Sequence, residues 1–211
     1  MTDQTTAYIS RPDLSIDGQR DDDLSANVLA ALVEETIDGL FRCELILNNF
    51  GAGTSGKVDY LYLDRRTLDF GKRIALGLGP GTPPKSVFEG RITALEGEYP
   101  YGGGARLIVL AEDQLQDLRM TRRTRSFEKQ SDADIIRKIA SEHKLTPKID
   151  LPGDPHESVA QVNLSDLAFI RERARLAGGE VWVRGKELHV APRTAGKPID
   201  LAYGVSLLAF S

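Results

Sequence analysis

Between Leu40 and Leu47, the apolar residues Leu40, Phe41, Cys43, Leu45 and Leu47 largely alternate with polar neighbours. This is the period of two that a half-buried strand imposes, because successive side chains point to opposite faces. Upstream, residues 7–17 read as an extended opening strand with Pro12 on it or at its edge, followed by an acidic turn at Asp21-Asp22-Asp23. Leu24, Val28, Leu29 and Leu32 recur at spacings that fit a short helix or a strand edge, and both readings stay open. Residues 48–57 are rich in turn formers and close the first strand pair. Further strands are predicted at Arg73–Leu78, Ser86–Glu98 and Ala105–Ala111, separated by the Gly- and Pro-rich runs 77–84 and 99–104. Short strands punctuated in this way favour a barrel or sandwich over a parallel sheet, so the first half is read as mostly β.

The period changes after Ala111. A short helical turn is predicted over residues 112–118, and a stronger helix from Ser131, where Ile135, Ile136, Ile139 and Ala140 share one face. Ser131 is placed to cap that helix, with Asp134 three residues on approximating a capping box. A second Ser-Asp pair, Ser165-Asp166, stands before a second apolar run of Leu167, Phe169, Ile170, Ala174 and Leu176-Ala177, and Gly178-Gly179 ends it. Ser165 or Asn163 can cap this helix. Residues 180–190 then alternate around a tight turn at Gly185-Lys186, which predicts a hairpin. The apolar C-terminal run, residues 198–211, reads as a strand opening a unit that the chain does not finish.

At 211 residues the chain is long enough for one large domain or two small ones, and 41% hydrophobic with 27% charged residues is ordinary globular composition. The balance of 31 acidic against 27 basic residues, net −4, gives no reason to expect a nucleic acid as the main partner. Cys43 is the single cysteine and cannot form an intrachain disulfide, so it reads as a strand residue of a protein made in a reducing compartment. No apolar run is long enough to cross a bilayer, and residues 1–6 lack the layout of a signal peptide. The expectation is a protein made in the cytoplasm without a signal peptide.

Candidate chemistry is sparse. The one concentrated positive stretch is Arg119, Arg122, Arg123, Arg125 and Lys129. It reads either as a solvated connection or as a partner-contact surface, and no aromatic residues interleave it as a nucleic-acid site would require. The glycine-rich run Gly77-Leu78-Gly79-Pro80-Gly81 lacks the Lys-Ser/Thr ending of a phosphate loop and reads as a turn. His143, His156 and His189 have no partners at metal-ligand spacing, and His143 falls near a helix C-terminus, where a cation is favourable. The acid pairs Glu96/Glu98 and Asp132/Asp134 are explained by a strand face and by helix capping. Trp182 reads as a core or interface residue. No catalytic, cofactor-binding or metal-ligating residue is assigned.

Taken in order, several segments resemble the phage late control protein D family: Phe88-Glu89-Gly90-Arg91-Ile92, Leu110-Ala111-Glu112-Asp113, residues 131–136, residues 161–170 and residues 178–183. That family includes baseplate hubs of contractile phage tails and is similar to the N-terminal part of type VI secretion spike proteins. The resemblance spans roughly residues 70–210 and lies in the ordered series rather than in any one motif. It implies an α+β fold: a small β-barrel over residues 1–110, an α/β insertion with two helices over 111–197, and the opening strand of a second barrel over 198–211. It implies a structural hub subunit, homotrimeric in full-length form, that joins a spike protein to the tail tube protein among other baseplate components. Such a subunit would carry no cofactor, bind no nucleic acid and insert in no membrane. Leu201, Tyr203, Leu207 and Phe210 become the candidate subunit seam, and the loops 51–57 and 79–85 further candidate contacts. Two other readings are a cell-wall hydrolase component and a freestanding β-barrel binding module.

Overall fold

The computed structural model describes residues 12–36, 40–52, 56, 58–79, 83–192 and 200–204. In its first half, strands β1 (Asp13–Ile16), β2 (Gln19–Arg20), β3 (Val28–Glu34), β4 (Arg42–Asn48), β5 (Phe50–Ala52), β6 (Val58–Tyr60), β7 (Arg73–Leu78), β8 (Lys85–Glu98) and β9 (Arg106–Glu112) surround one short helix, α1 (Asp22–Ala26). Seven of these strands form one sheet, in the order β2-β1-β7-β8-β9-β4-β3. All its neighbours run antiparallel. Both open readings of residues 24–32 are realised. Asp21 caps α1 by accepting the Leu24 amide at 2.8 Å, Leu24 is buried, and the chain then extends as β3 at the edge of the sheet.

One face of this sheet points inward across β1, β7, β8, β9 and β4. Leu14, Ile16, Ile74, Leu76, Phe88, Ile92, Leu107, Val109, Ala111, Cys43, Leu45 and Leu47 all enter the same cluster. A single sheet can bury one face against itself only by coiling. Register shifts at Leu76/Gly77 and Ile92/Ala94 supply local bends of the kind that bulges introduce. Gly90 sits where β8 runs tightly against the end of β9: a Cβ there would lie 2.2 Å from the Glu112 carbonyl oxygen and 2.6 Å from the Phe88 ring. The glycine of the Phe88–Ile92 segment is therefore dictated by a close backbone approach.

The second half comprises helices α2 (Leu115–Arg119), α3 (Asp132–Glu142) and α4 (Asp166–Leu176) with strands β10 (Arg122–Gln130), β11 (Thr146–Ile149), β12 (His156–Ser165), β13 (Gly179–Arg184) and β14 (Glu187–Pro192). β10 and β12 form an antiparallel pair. β13 and β14 form the predicted hairpin, and β11 joins β14 in parallel. Ile135, Ile136, Ile139, Phe169, Ile170 and Ala174 pack between these strands with Phe127, Leu188 and Val190. Phe127 stacks on Phe169 with ring centroids 5.7 Å apart. Each helix of 11 residues is too short to persist alone, since isolated helices below about 12–15 residues are marginal in water. Burial stabilises them instead, at about 1.5–3 kcal/mol for each fully buried large aliphatic side chain.

The α+β expectation, with a barrel followed by an α/β insertion carrying two helices, is corrected here. The fold is mostly β: 51% of the described residues are in strands against 18% in helices, of which there are four short ones among them. Two features account for the difference. β10 and β12 occupy segments read from sequence as a charged connection and as the approach to a helix. In β10 only Phe127 is fully buried, so no apolar alternation announces the strand. The seven-stranded sheet also ends at β2 and β3, which are not paired with each other among the described residues, so it is coiled but open at that seam. The strand expected from residue 198 is not seen within the described 200–204, which hold only an isolated bridge at Tyr203.

Candidate functional site

The charged stretch and the two Ser-Asp pairs meet in one arrangement. Ser131 caps α3: its Oγ accepts the Asp134 amide at 3.2 Å, and the Asp134 carboxylate accepts the Ser131 amide at 3.3 Å, completing the capping box. Ser165 caps α4 by accepting the Ala168 amide at 3.2 Å. Each serine is followed by an aspartate at the first helical position, and each aspartate is buried. Asp132 receives Arg173, in the last turn of α4, with Nε at 2.5 Å and Nη2 at 3.0 Å. His156 Nε2 lies 3.2 Å from the same carboxylate. Asp166 in turn meets Nε2 of His143, the residue that ends α3, at 2.8 Å. The two helices therefore run antiparallel and clasp each other at both ends. The aspartate of each helix N-terminus is bound by a basic side chain at the other's C-terminus, where macrodipole and ion contact act together.

Asp166 is the more elaborate centre, at 1% exposure. Besides His143 it accepts Arg123 Nε at 3.2 Å, Arg125 Nη2 at 2.9 Å and Gln161 Nε2 at 2.9 Å. Burial pushes its carboxyl up, but hydrogen bonds from His143 and Gln161 and the charges of Arg125 and Arg123 outweigh this and hold it below the ordinary carboxylate value. Gln161 also bonds Arg125 Nε at 2.8 Å and the Leu164 carbonyl at 2.9 Å, so it orients both partners of the pair. A bulge makes this possible. β10 advances from Arg123 to Arg125 while β12 runs from Leu164 back to Gln161, and Asn163 takes up the extra residue at φ 48°. The ordered segment 161–166 thus has a physical account: an orienting glutamine, a left-handed asparagine, a capping serine and a buried aspartate.

Of the predicted contact residues, Arg123 and Arg125 are engaged inward, and Arg125 also meets Glu142 at 2.7 Å. Arg119 pairs with Glu112, and Arg122 Nη1 donates to the Asn163 carbonyl at 3.3 Å. Lys129 is exposed on β10, at φ 51°. Of the seam residues, Leu201 and Tyr203 are exposed, whereas Leu207 and Phe210 lie outside the described residues. So do residues 53–55, 57 and 80–82 of the two candidate loops. Trp182 is half-buried and stacks on His189 with centroids 5.2 Å apart. Burial, then the neighbouring Glu44, pushes the Cys43 thiol up to about 12. Among the described residues no cluster of three or more His, Cys, Asp or Glu is placed to hold a metal, and no helix is long and apolar enough to cross a membrane.

Sequence reading missed the surface around β3. This edge strand reads Val28-Leu29-Ala30-Ala31-Leu32-Val33-Glu34, and Leu29 and Leu32 are 57% and 59% exposed. The pairing register sets Leu32 beside Glu44 on β4, Glu44 beside Leu110 on β9, and Leu110 beside Ala94 on β8. The next row outward-facing along the strands is Ala30, Ile46, Ile108 and Glu96. The face turned away from the core thus sets Leu32, Leu110, Ile46 and Ile108 among Glu44 and Glu96, and it runs out to a strand edge that is unpaired among the described residues. The unresolved helix-or-edge spacing at residues 24–32 was its only trace in the sequence.

The fold is shared with proteins of phage tails and of type VI secretion. The 43 kDa tail protein of prophage MuSo2 from Shewanella oneidensis matches with TM-score 0.72 at 11% identity, covering 95% of this chain and 59% of that one. The tail protein from Neisseria meningitidis MC58 matches at 0.60 and 12% identity, covering 87% and 50%. The E. coli c3393 protein, described as a component of the type VI secretion system similar in structure to T4 tail proteins gp27 and gp5, matches at 0.53 and 13% identity, covering 87% and 44%. The chain therefore spans about half the length of these proteins. No curated protein matches it in sequence. The chain belongs to the family described as the Alg8 N-terminal domain, whose model matches residues 9–211. That name differs from the late control protein D family, which the motif series resembles.

Proposed function

We propose that this protein is a structural subunit of a phage tail or contractile injection particle, acting at the baseplate hub that joins a spike to the tail tube. The observation that carries this reading is the fold likeness to the Shewanella tail protein over 95% of the chain. The ordered motifs of the late control protein D type support the finer assignment to a hub. In this reading residues 1–110 form the tube-facing unit, residues 111–197 an insertion stiffened by the double aspartate clasp, and residues 198–211 lead into a further unit. The full-length protein is a homotrimer that presents a pseudo-sixfold ring to a hexameric tube, and it works by rigid apposition of surfaces rather than by chemistry. An arrangement held by two buried ion clusters and an exposed apolar sheet edge suits that role.

Reconstitution of the longest native form with its tube and spike proteins tests this. Light scattering should give three copies, and electron microscopy a threefold ring bound to both partners. A protein that binds neither component, or that releases peptidoglycan fragments from purified cell wall, would overturn the assignment.

A further inference from the structure

The outward face at the β3 end carries a hollow of about 350 Å³ whose lining mixes apolar and acidic groups. Leu32, Cys43, Leu110 and Ala111 supply the apolar part and Glu34, Glu44 and Glu112 the acidic part, with Arg42 and Thr93 completing it. Arg42 and Thr93 are already engaged. Arg42 pairs with Glu34 at 2.7 Å, and the Thr93 hydroxyl donates to the Leu110 carbonyl at 3.2 Å. Glu112 receives Arg119 from α2, and Arg91, its neighbour in the register, is bound to Asp117 at 3.2 Å. Glu44 has no such counter-charge: among the described residues no basic side chain pairs with it, nor with Glu96 one row further along the same face. Leu32 and Glu34 belong to β3, which among the described residues pairs on one side only. An unpaired strand edge, an apolar wall and an uncompensated carboxylate therefore stand together.

We propose that this end of the sheet binds an extended basic segment of a different protein, added as a further strand on β3, with a lysine or arginine side chain entering the hollow. A strand laid along β3 alternates its side chains between the two faces, so every second one falls beside Leu32 and Glu34. Lysine and arginine match the lining because each carries an apolar stem beneath a cationic end. The stem lies along Leu32 and Leu110, and the charge meets Glu44. A volume of about 350 Å³ stands at the lower end of ligand pockets, about 300–1,000 Å³, and suits one long side chain rather than a larger ligand. Backbone pairing supplies affinity, and the acidic hollow selects for positive charge. A second copy of this chain is the poorer match. At its opposite edge Arg20 is held by Asp13 at 3.2 Å and Asp22 at 2.7 Å, and the depression beside Arg73 is lined by Asp17 and Glu89 as well. The contact requires only the sheet geometry and the charge, and holds independently of the tail assignment.

Peptides of seven residues, the length of β3, test this on the whole chain. A library that alternates valine with positions varied among lysine, arginine, glutamate and serine is screened for binding, and its tightest members are measured by fluorescence anisotropy. Lysine or arginine should dominate the varied positions, and binding should weaken as salt is added. Glu44→Gln, which keeps the shape and removes the charge, should weaken binding by at least about tenfold, as should Leu32→Arg, which brings a cation to the hollow. Both variants are checked for an unchanged melting temperature. N-methylation of alternate peptide amides should abolish binding in one phase and spare it in the other, because only every second amide of an added strand faces β3. Absence of binding across the library, selection without regard to charge, or binding that survives Glu44→Gln would overturn the proposal. Self-association of the wild type in light scattering that Leu32→Arg removes would give this surface to a second copy and overturn it as well.

Discussion

Replacing Asp166 by asparagine is the most informative single perturbation of the clasp. The change keeps the shape but removes the charge, and it puts an amide donor among groups that are themselves donors: Arg123, Arg125, Gln161 and His143. Removing one partner of a buried ion pair costs about 3–5 kcal/mol, most of it from the charge left behind. Arg123 is 44% exposed at its side chain and can recover water, so the penalty falls mainly on Arg125, at 23%. About 3 kcal/mol is the expected loss, at the lower end of that range. Trp182 is the only tryptophan and lies on β13 beside Val181 of the second core, so its fluorescence during urea unfolding reports the unit that the clasp holds together. The pH dependence adds an independent check. Asp166 is held below its ordinary value when folded, so its contribution is fully present above the unfolded carboxylate pKa of about 3.9 and is lost as pH falls through the lower folded value. The part of the gap that Asp166's own charge carries should therefore shrink as pH falls below about 4. A loss below about 1 kcal/mol at pH 7, the worth of an exposed pair, would refute the view that this aspartate anchors the helices.

Three further outcomes are expected. Gly90→Ala should destabilise the protein by about 1–3 kcal/mol or more, because its methyl meets the Glu112 carbonyl at 2.2 Å and backbone must move; an unchanged melting temperature would contradict the close approach. Asp113 is buried, and burial pushes its carboxyl up to about 6 despite amide hydrogen bonds from Phe41 and Leu115. Its raised value favours the folded state at low pH and costs stability as pH rises from about 4 to 6, so Asp113→Asn should gain on the wild type by up to about 3 kcal/mol across that window, measured as paired denaturation curves. Cys43, the sole cysteine, should react with a thiol reagent at pH 8 far more slowly in the folded protein than in urea, and equal rates would show the β4 core to be open.

The strands of the coiled sheet were largely legible because each buries one face and exposes the other: β4, β7, β8 and β9 fall within two residues of the predicted spans. The helices and their caps were legible for the same local reason, since Ser131, Asp134, Ser165 and Gly178 act on backbone groups within a few residues of themselves. β10 and β12 were not, because two strands paired only with each other bury little, and Phe127 is the one fully buried side chain of β10. The arginine stretch read as a contact surface because charge without a visible partner is taken as exposed. Asp166 lies 41 residues from Arg125, and no local period links them.

Local chemistry, then, determined most strands of the coiled sheet and where α3 and α4 begin, because propensity, capping and alternation act over a few residues. Only the tertiary structure decided that the two Ser-Asp pairs form one reciprocal clasp, that Gly90 yields to a carbonyl 22 positions away, and that β3 ends the sheet with its apolar edge unpaired. Those are questions of which distant groups share a dielectric, a register or a contact. They are settled by the coiling of the sheet and the packing of the helices, not by the order of residues along either.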